Sequence, residues 1–559
     1  MCYSRSIAKH RPAGPVLGPL ARIVRLAMIG AAAACLAGPA SATASGSSQP
    51  ARIFNVEAYD VDGVKLLPQV VVEGAVYPYM GPGRTVSDIE QARAALEKAY
   101  HDRGYQSVVV QIPAQSVADD IVRLHVIEAP IGRLRVTGAR FFSPEFIRSE
   151  APALREGQVP DIAQAQKEIA AINRLADRRV TPLLKAGAVP GTVDVDLKVS
   201  DTLPLHADLE FNNDHNQSTP PYRLLATVHY DNLWQLGHSL SATYAVAPQD
   251  RATSEVFAGS YLAPLWGTPW SLMAFGYSSN SNVASLGGTN VLGKGFDVGV
   301  RAVVQLPALA DMSQSISFGL DYKHFDQTIQ FGSTATQVPL RYAPFTLAYN
   351  AQRVGPRLET KGSLSMTLGL DIGGGEHVFA GVDKNGRPQF DTAFDQARAG
   401  ATPNFIHLNL DLSQTVQIGR GFEFAQRLSA QLSDQPLVSN EEFAAGGLTS
   451  VRGYLQADAT GDDGFTGSLE FRSPSLASFL TPLADELRFY AFADGGVVRV
   501  RNPLAGQQRF FSLVSAGAGV RLDMLRHLKG DVGGGVPLID GADRRAGQPQ
   551  IIFSVKSDF

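Results

Sequence analysis

A single arginine stands inside a glycine-rich stretch, Gly446-Gly447-Leu448-Thr449-Ser450-Val451-Arg452-Gly453-Tyr454, in a region that otherwise alternates like strands. A lone cation on flexible backbone needs an anion to hold it. The nearest suitable one downstream is Asp494, in Phe492-Ala493-Asp494-Gly495-Gly496. There a carboxylate interrupts an apolar strand pattern, and glycines let another segment approach closely. The chemistry such a pair can do is electrostatic locking. The reading is that Arg452 reaches Asp494 across the lumen of a barrel.

The other candidates for chemistry fail on spacing. Gly288-Thr289-Asn290-Val291-Leu292-Gly293-Lys294-Gly295 approximates a phosphate loop, but Gly295 stands where a Ser or Thr must bind magnesium. The residues after it, Phe296 to Leu306, alternate as a strand where a helix N-terminus is required. Gly237-His238-Ser239-Leu240-Ser241 is one residue short of a nucleophile elbow and sits in a hairpin. The histidines show no His-Glu-x-x-His and no paired metal spacing, so they read as single turn or lumen residues. Glu441 and Glu442 are paired only by adjacency, would point to opposite sides of a strand, and read as solvated. Glu470 and Arg472 share a strand face opposite Leu469 and Phe471, and read as lumen charges. No catalytic, cofactor-binding or metal-ligating constellation emerges, so an enzyme reading has no site to rest on.

The elements that must position the arginine begin with the compartment. Basic residues through Arg22 and Arg25 precede the apolar run Leu26 to Gly38, and small residues follow in Ala40-Ser41-Ala42 and Ala42-Thr43-Ala44. That is the layout of a secretory signal over 1–44, cleaved after Ala42 or Ala44, with 45–51 a short linker. Cys35 lacks the preceding leucine of a lipoprotein signal. Cys2 and Cys35 both fall in the removed part, so the mature chain contains no thiol for disulfides or catalysis.

At 559 residues the length suggests several domains, although barrels stretch that rule. Net charge is −4 with no long basic block, which argues against nucleic acid and leaves membrane or protein partners. No uninterrupted apolar run of about 18 occurs in the mature region, so a helical membrane protein is not expected. A transmembrane barrel hides its apolar residues in alternation, which accounts for a mean hydropathy near zero. Gly 54 is high without a collagen period, as many turns and strands require.

From Arg52 to Ala129 the pattern is strand, helix, strand, strand. Phe54 to Val61 alternates with period two; Ser87-Asp88-Ile89-Glu90 reads as a capping box; Ile89, Ala92, Leu96 and Tyr100 recur near helical spacing; and Gly104 suits a left-handed cap. The Pro- and Gly-rich stretch Val76 to Thr85 makes a further helix there doubtful. Residues 130–202 repeat the scheme, with a strand Ile131 to Gly138, a short helix Ser143 to Ala151, a helix from Asp161 to about Asp177, and a closing pair Val180 to Ala186 and Val193 to Val199. Each repeat, about 70 to 75 residues, can hold a modest core. After Leu203 only strand patterns follow. Tyr222, Leu224, Ala226, Val228 and Tyr230 share one face, Asp231 to Gly237 turns, and Leu240, Ala242 and Tyr244 resume. The chain ends on alternate positions Ile551, Phe553, Val555, Ser557 and Phe559, which would close the sheet so that no edge faces lipid.

The Val-Arg-Gly-Tyr loop followed by a Phe-x-Asp-x-Gly strand resembles the paired signature of two-partner secretion transporters, the TpsB class that exports haemolysins and adhesins across Gram-negative outer membranes. The resemblance covers nearly the whole mature chain. It implies two small α+β POTRA domains, at 52–129 and 130–202, followed by a transmembrane antiparallel β-barrel of about sixteen strands over 203–559. Sixteen strands leave about 22 residues for each strand and its connection, enough for a tilted span of roughly 10. It also implies an inward-folded loop around 440–464 carrying Val451, Arg452, Gly453 and Tyr454, a wall motif of Phe492, Asp494 and Gly496, and Phe559 as an assembly signal. The expected function is passive export, without a cofactor, of a large β-rich partner exoprotein captured by the periplasmic POTRA domains. Lipid and the barrel-assembly machinery are the other expected partners, and nucleic acid is not one. A barrel-assembly insertase and a small-solute porin are the alternatives.

Overall fold

The computed structural model describes residues 53–559 apart from 116–119, 282–283, 287–288, 292–293, 310, 332–333, 373–376, 383–387 and 480–482. The expected signal and linker, with Cys2 and Cys35, lie outside the described residues, as do Gly288, Leu292 and Gly293 of the phosphate-loop lookalike.

Two small α/β domains precede the barrel, and both share a strand, helix, helix, strand, strand core, to which the first adds the paired strands Ile53–Val56 and Gly81–Thr85. In the first, Ala58–Asp62 pairs in parallel with Ile121–Ile127, which pairs antiparallel with Val109–Gln111. In the second, Ile131–Thr137 pairs in parallel with Val193–Asp201, which pairs antiparallel with Arg178–Ala186. The helices are Gln69–Val76 and Val86–His101 in one, Pro144–Ser149 and Ile162–Ile172 in the other. Each domain closes its own core. Leu96, Tyr100, Leu124 and Val126 sit in the first, and Ile147, Ile172, Val195 and Leu197 in the second.

Several local expectations need correction. The capping box lies two residues earlier than Ser87 and Glu90: Thr85 Oγ1 accepts from Asp88 N at 3.4 Å, and Asp88 Oδ2 accepts from Thr85 N at 2.8 Å. Thr85-x-x-Asp88 is an equivalent pattern, and it starts the helix where the preceding strand, Gly81–Thr85, ends. Glu90 instead pairs with Arg93 on the outer face. A helix does exist beside the Pro- and Gly-rich stretch, but ahead of it at Gln69–Val76, where Val72 and Val76 are buried against the core. The strand expected through Phe54 to Val61 breaks at Glu57 because it changes partner. Ile53–Val56 pairs with Gly81–Thr85 and Ala58–Asp62 with Ile121–Ile127. The second domain's long helix stops at Ile172, since Asn173 turns the chain by bonding both backbone groups of Val180.

Arg178 is almost fully buried in the second domain, with its guanidinium 4.9 Å from the Phe142 ring centroid. It donates to the Ile172 carbonyl at 2.7 Å. Burial lowers its pKa to about 10, so it stays protonated at neutral pH.

One glycine recurs at matching places. Gly63 and Gly138 follow the first strand of each sheet with φ of +81° and +86°, and a Cβ would sit 2.2 Å from the Val126 carbonyl oxygen or 2.5 Å from that of Val199. Gly157 has a similar φ of +82° but open space around it. Gly138→Ala should therefore destabilise the second domain by roughly 1–3 kcal/mol or more, and Gly157→Ala by less. Limited proteolysis of the folded chain would rank them; equal sensitivity would contradict the steric account.

Most of the rest of the described chain is one closed antiparallel barrel. Its strands are β1 (Leu205–Asn212), β2 (Arg223–Leu233), β3 (His238–Val246), β4 (Glu255–Pro264), β5 (Trp270–Ser279) and β6 (Lys294–Gln305). Next come β7 (Met312–Phe331), then β8, which is interrupted between Thr334–Tyr342 and Phe345–Val354, and β9 (Leu358–Leu368). Both halves of β8 pair with successive parts of β7, so they count as one strand. The wall finishes with β10 (Ile406–Gly419), β11 (Phe422–Ser433), β12 (Asp463–Arg472), β13 (Ala484–Arg499), β14 (Phe510–Met524), β15 (Leu528–Pro537) and β16 (Gln550–Asp558). β16 pairs with β1 and closes a sixteen-stranded cylinder. Among the described residues no helix is long and apolar enough to cross a membrane.

Alternation along each strand sends apolar side chains outward: Val228, Leu240, Phe257, Leu364, Phe465 and Val532 are all at least 46 % exposed. An apolar band of that extent around a whole barrel is unstable in water and needs lipid. The second α/β domain docks under the near end. Ser143 N donates to Gln235 Oε1 at 2.9 Å, Asn232 Nδ2 to the Phe141 carbonyl at 2.9 Å, and Phe146 meets Trp266 edge-on at 5.0 Å.

Candidate functional site

The connection from β11 to β12, residues 434–462, does not stay outside the cylinder. A hairpin of Phe443–Ala445 and Ala459–Gly461 carries its tip inward, and the glycine-rich stretch lies against the inner wall. Val451, Tyr454 and Ala459 pack on Val498 and Leu513 of β13 and β14. Tyr454 Oη lies 3.0 Å from the Val514 carbonyl and 2.8 Å from that of Ile539.

Three glycines make that approach possible. Gly453 has φ +96° and faces Gly535 of β15, where a Cβ on Gly535 would lie 2.9 Å from Gly453 Cα. Gly496 of β13 leaves room for Val451, since a Cβ there would come within 3.3 Å of Val451 Cγ2. Backbone meets backbone, as at close-packed glycine contacts generally.

Arg452 is 4 % exposed and fully committed. Its Nε and Nη2 donate to the two oxygens of Asp494 at 2.8 and 2.9 Å, and its own backbone N–H to Asp494 Oδ2 at 3.0 Å. Nη1 donates to Glu470 Oε2 at 2.5 Å and Nη2 to Ser468 Oγ at 3.0 Å. The guanidinium also lies over the Phe492 ring, 3.7 Å from its centroid. The geometry is a bidentate fork that only arginine can make.

The structure thus brings together Val451, Arg452, Gly453, Tyr454, Phe492, Asp494 and Gly496. It also adds Glu470, which accepts from Arg452, Arg472 and Arg521, so this residue is a second anion of the lock. A β-strand puts residues 468, 470 and 472 on one face, and that periodicity was the available signal. Phe559, the expected assembly signal, is exposed at the near end, where its backbone pairs with Ala207 of β1 and its ring stacks on His527.

The expectation that Glu441 and Glu442 are solvated is wrong. Glu441 ends a short turn, Ser439–Glu441, and Glu442 follows it, so neither lies in a strand and alternation does not govern them. Glu441 is buried and accepts from Lys323 Nζ of β7 and Tyr342 Oη of β8, each at 2.6 Å, and lies 3.2 Å from His407 Nε2 of β10. Glu442 is 3.6 Å from Arg398. Asp462, completely buried, holds the loop's two roots: it accepts from Leu437 N at 2.5 Å, Arg501 N at 2.6 Å and Arg398 Nη2 at 3.0 Å. The loop is therefore fastened to β7, β8 and β10 at its base and to β12 and β13 at its tip, and it crosses the lumen between them. Cavities of about 520 and 510 Å³, into which charged side chains such as Glu470, Arg427 and Arg521 project among apolar surface, flank it.

The histidines are not all isolated either. His206 and His229, on neighbouring strands, face each other at the near end, a pairing that spacing along one strand does not reveal.

A model of the family described as haemolysin secretion/activation protein ShlB/FhaC/HecB matches residues 191–522, and a model of the ShlB-type POTRA domain matches residues 54–129. The chain is 20 % identical over 473 residues to the heme/hemopexin transporter protein HuxB of Haemophilus influenzae strain 86-028NP, covering 83 % of this chain and 80 % of that protein. Its fold is similar to that of CdiB from Escherichia coli, with a TM-score of 0.63, 19 % identity and 93 % of each chain covered. It is also similar to BamA from Haemophilus ducreyi lacking POTRA domains 1–3, with a TM-score of 0.53, 13 % identity, and 91 % and 100 % covered.

Proposed function

Because the chain belongs to the haemolysin secretion/activation family of outer-membrane transporters, we propose that it exports one large, β-rich partner protein across the outer membrane. The observation that carries this reading is a loop lying inside a closed barrel and held there by charged groups; on this reading it is a removable obstruction whose charges the lumen rehydrates when it moves. The second α/β domain, which repeats the topology of the POTRA domain before it, is read as a second POTRA domain. The partner arrives unfolded in the periplasm and adds as a strand to an open sheet edge of these domains. It then passes through the polar lumen as an extended chain, without ATP, and folding outside opposes its return. Arg452, Asp494 and Glu470 set the resting position of the loop, and Val451, Gly453, Tyr454, Phe492 and Gly496 shape its seat.

The test is co-expression with candidate secreted partners encoded beside this chain. The partner should reach the medium with the transporter and remain in the periplasm without it. If instead other outer-membrane barrels failed to insert when this chain was removed, an insertase role would replace export; rapid sugar-driven swelling of liposomes holding the wild-type barrel would favour a porin.

The Tyr454 hydroxyl ties the loop tip to backbone groups on both sides. Tyr454→Phe keeps the packing and removes those bonds, at about 1 kcal/mol each or less. It should lower export no more than a few-fold, measured as partner in the medium at equal transporter levels.

A further inference from the structure

Where the second α/β domain meets the barrel, two imidazoles and two carboxylates converge. His206 on β1 and His229 on β2 are direct cross-strand partners, their rings stacked with centroids 4.8 Å apart. Asp231, two positions beyond His229 and so on the same strand face, puts Oδ2 3.5 Å from His229 Nε2. One ligand atom from each of these three residues lies within 4.8 Å of the other two, and all three are half-buried, so water can reach the remaining positions. None of them takes part in fastening the pore loop.

The surroundings orient the donors. Asp177, a buried residue of the second α/β domain, has Oδ2 2.8 Å from His206 Nε2. A carboxylate only accepts, so Nε2–H donates and the neutral ring keeps its lone pair on Nδ1. Asp177 is fixed in turn by Thr202 Oγ1 at 3.1 Å. Ser239 Oγ donates to Asp231 Oδ1 at 2.5 Å, which leaves Oδ2 for another partner. A histidine held by a carboxylate behind it is the arrangement that steadies metal ligands.

We propose that His206, His229 and Asp231 form a site for a borderline divalent cation of the Zn²⁺ type, with Asp177 positioning His206. Two imidazoles and a carboxylate are zinc donors, and bond lengths of about 2.0–2.1 Å place tetrahedral donors roughly 3.4 Å apart. Closing the three around an ion thus takes shifts of about 1 Å, within reach of side-chain rotation. The bound ion staples β1 to β2 and, through Asp177, couples the barrel to the second α/β domain. The consequence is a stiffer joint.

The test uses the full chain in detergent, stripped by a chelator and titrated with Zn²⁺ alone. The expected result is one equivalent bound with micromolar or tighter affinity, lost in His206→Ala and in His229→Gln, and weakened about 10- to 100-fold in Asp177→Asn. Heat-modifiable migration in gels shows which variants keep the barrel, and His229→Gln, which preserves size and polarity, decides the matter if His206→Ala does not fold. As a second readout, the distance distribution between spin labels on the second domain and the barrel should narrow with Zn²⁺ in the wild type only. Absence of binding to the wild type, or binding that His229→Gln leaves unchanged, would overturn the site and leave the stacked rings as packing alone.

Discussion

Arg452→Ala is expected to cut export of the partner at least ten-fold while the barrel still folds. The substitution leaves Asp494, completely buried, without its cation, and Glu470 with only Arg472 and Arg521. Removing one side of a buried pair costs about 3–5 kcal/mol, far above the ~1 kcal/mol of an exposed pair. The barrel itself is held by its strand ladder, which this change does not touch, so the cost falls on the loop. Arg452→Lys should fail nearly as badly, because an ammonium cannot serve both oxygens of Asp494, Glu470 and Ser468 together. The measurement is partner protein in the medium at matched levels of heat-modifiable transporter. Wild-type export by Arg452→Ala would refute the lock.

The second large effect is expected at the loop's base. Glu441→Ala strands Lys323, Tyr342 and His407 without their common acceptor, and should free the base from β7, β8 and β10 at a cost of about 3–5 kcal/mol. In planar bilayers the variant should spend a larger fraction of time in a high-conductance state than the wild type. Glu442→Ala should do much less, since Arg398 keeps its bond to Asp462. Equal conductance in all three proteins would show that the base does not hold the pore closed.

Much of this was legible because it is local. Period-two alternation, as in Tyr222 to Tyr230, specifies a two-faced strand whatever its neighbours are, and Ile89, Ala92, Leu96 and Tyr100 mark a helix face for the same reason. An arginine between glycines and an aspartate inside an apolar strand each break their own surroundings, so both could be picked out before any contact was known. The failures were also local in origin. Two equally good capping patterns overlap at 85–90, and only the end of the preceding strand chooses between them. Glu441 and Glu442 look solvated because nothing nearby in sequence neutralises them.

By itself, then, the amino-acid order determined the two small α/β repeats, the run of amphipathic strands, and the identity of a cation that needs a counter-charge, since each follows from residues a few positions apart. The tertiary structure alone decided which groups surround that cation and what fastens the loop. Lys323, Tyr342 and His407 meet Glu441 from three strands, and His206 meets His229 across another pair. Closing the barrel sets those distances, and burial makes the charges they bring together worth several kcal/mol where solvent would have left them nearly free.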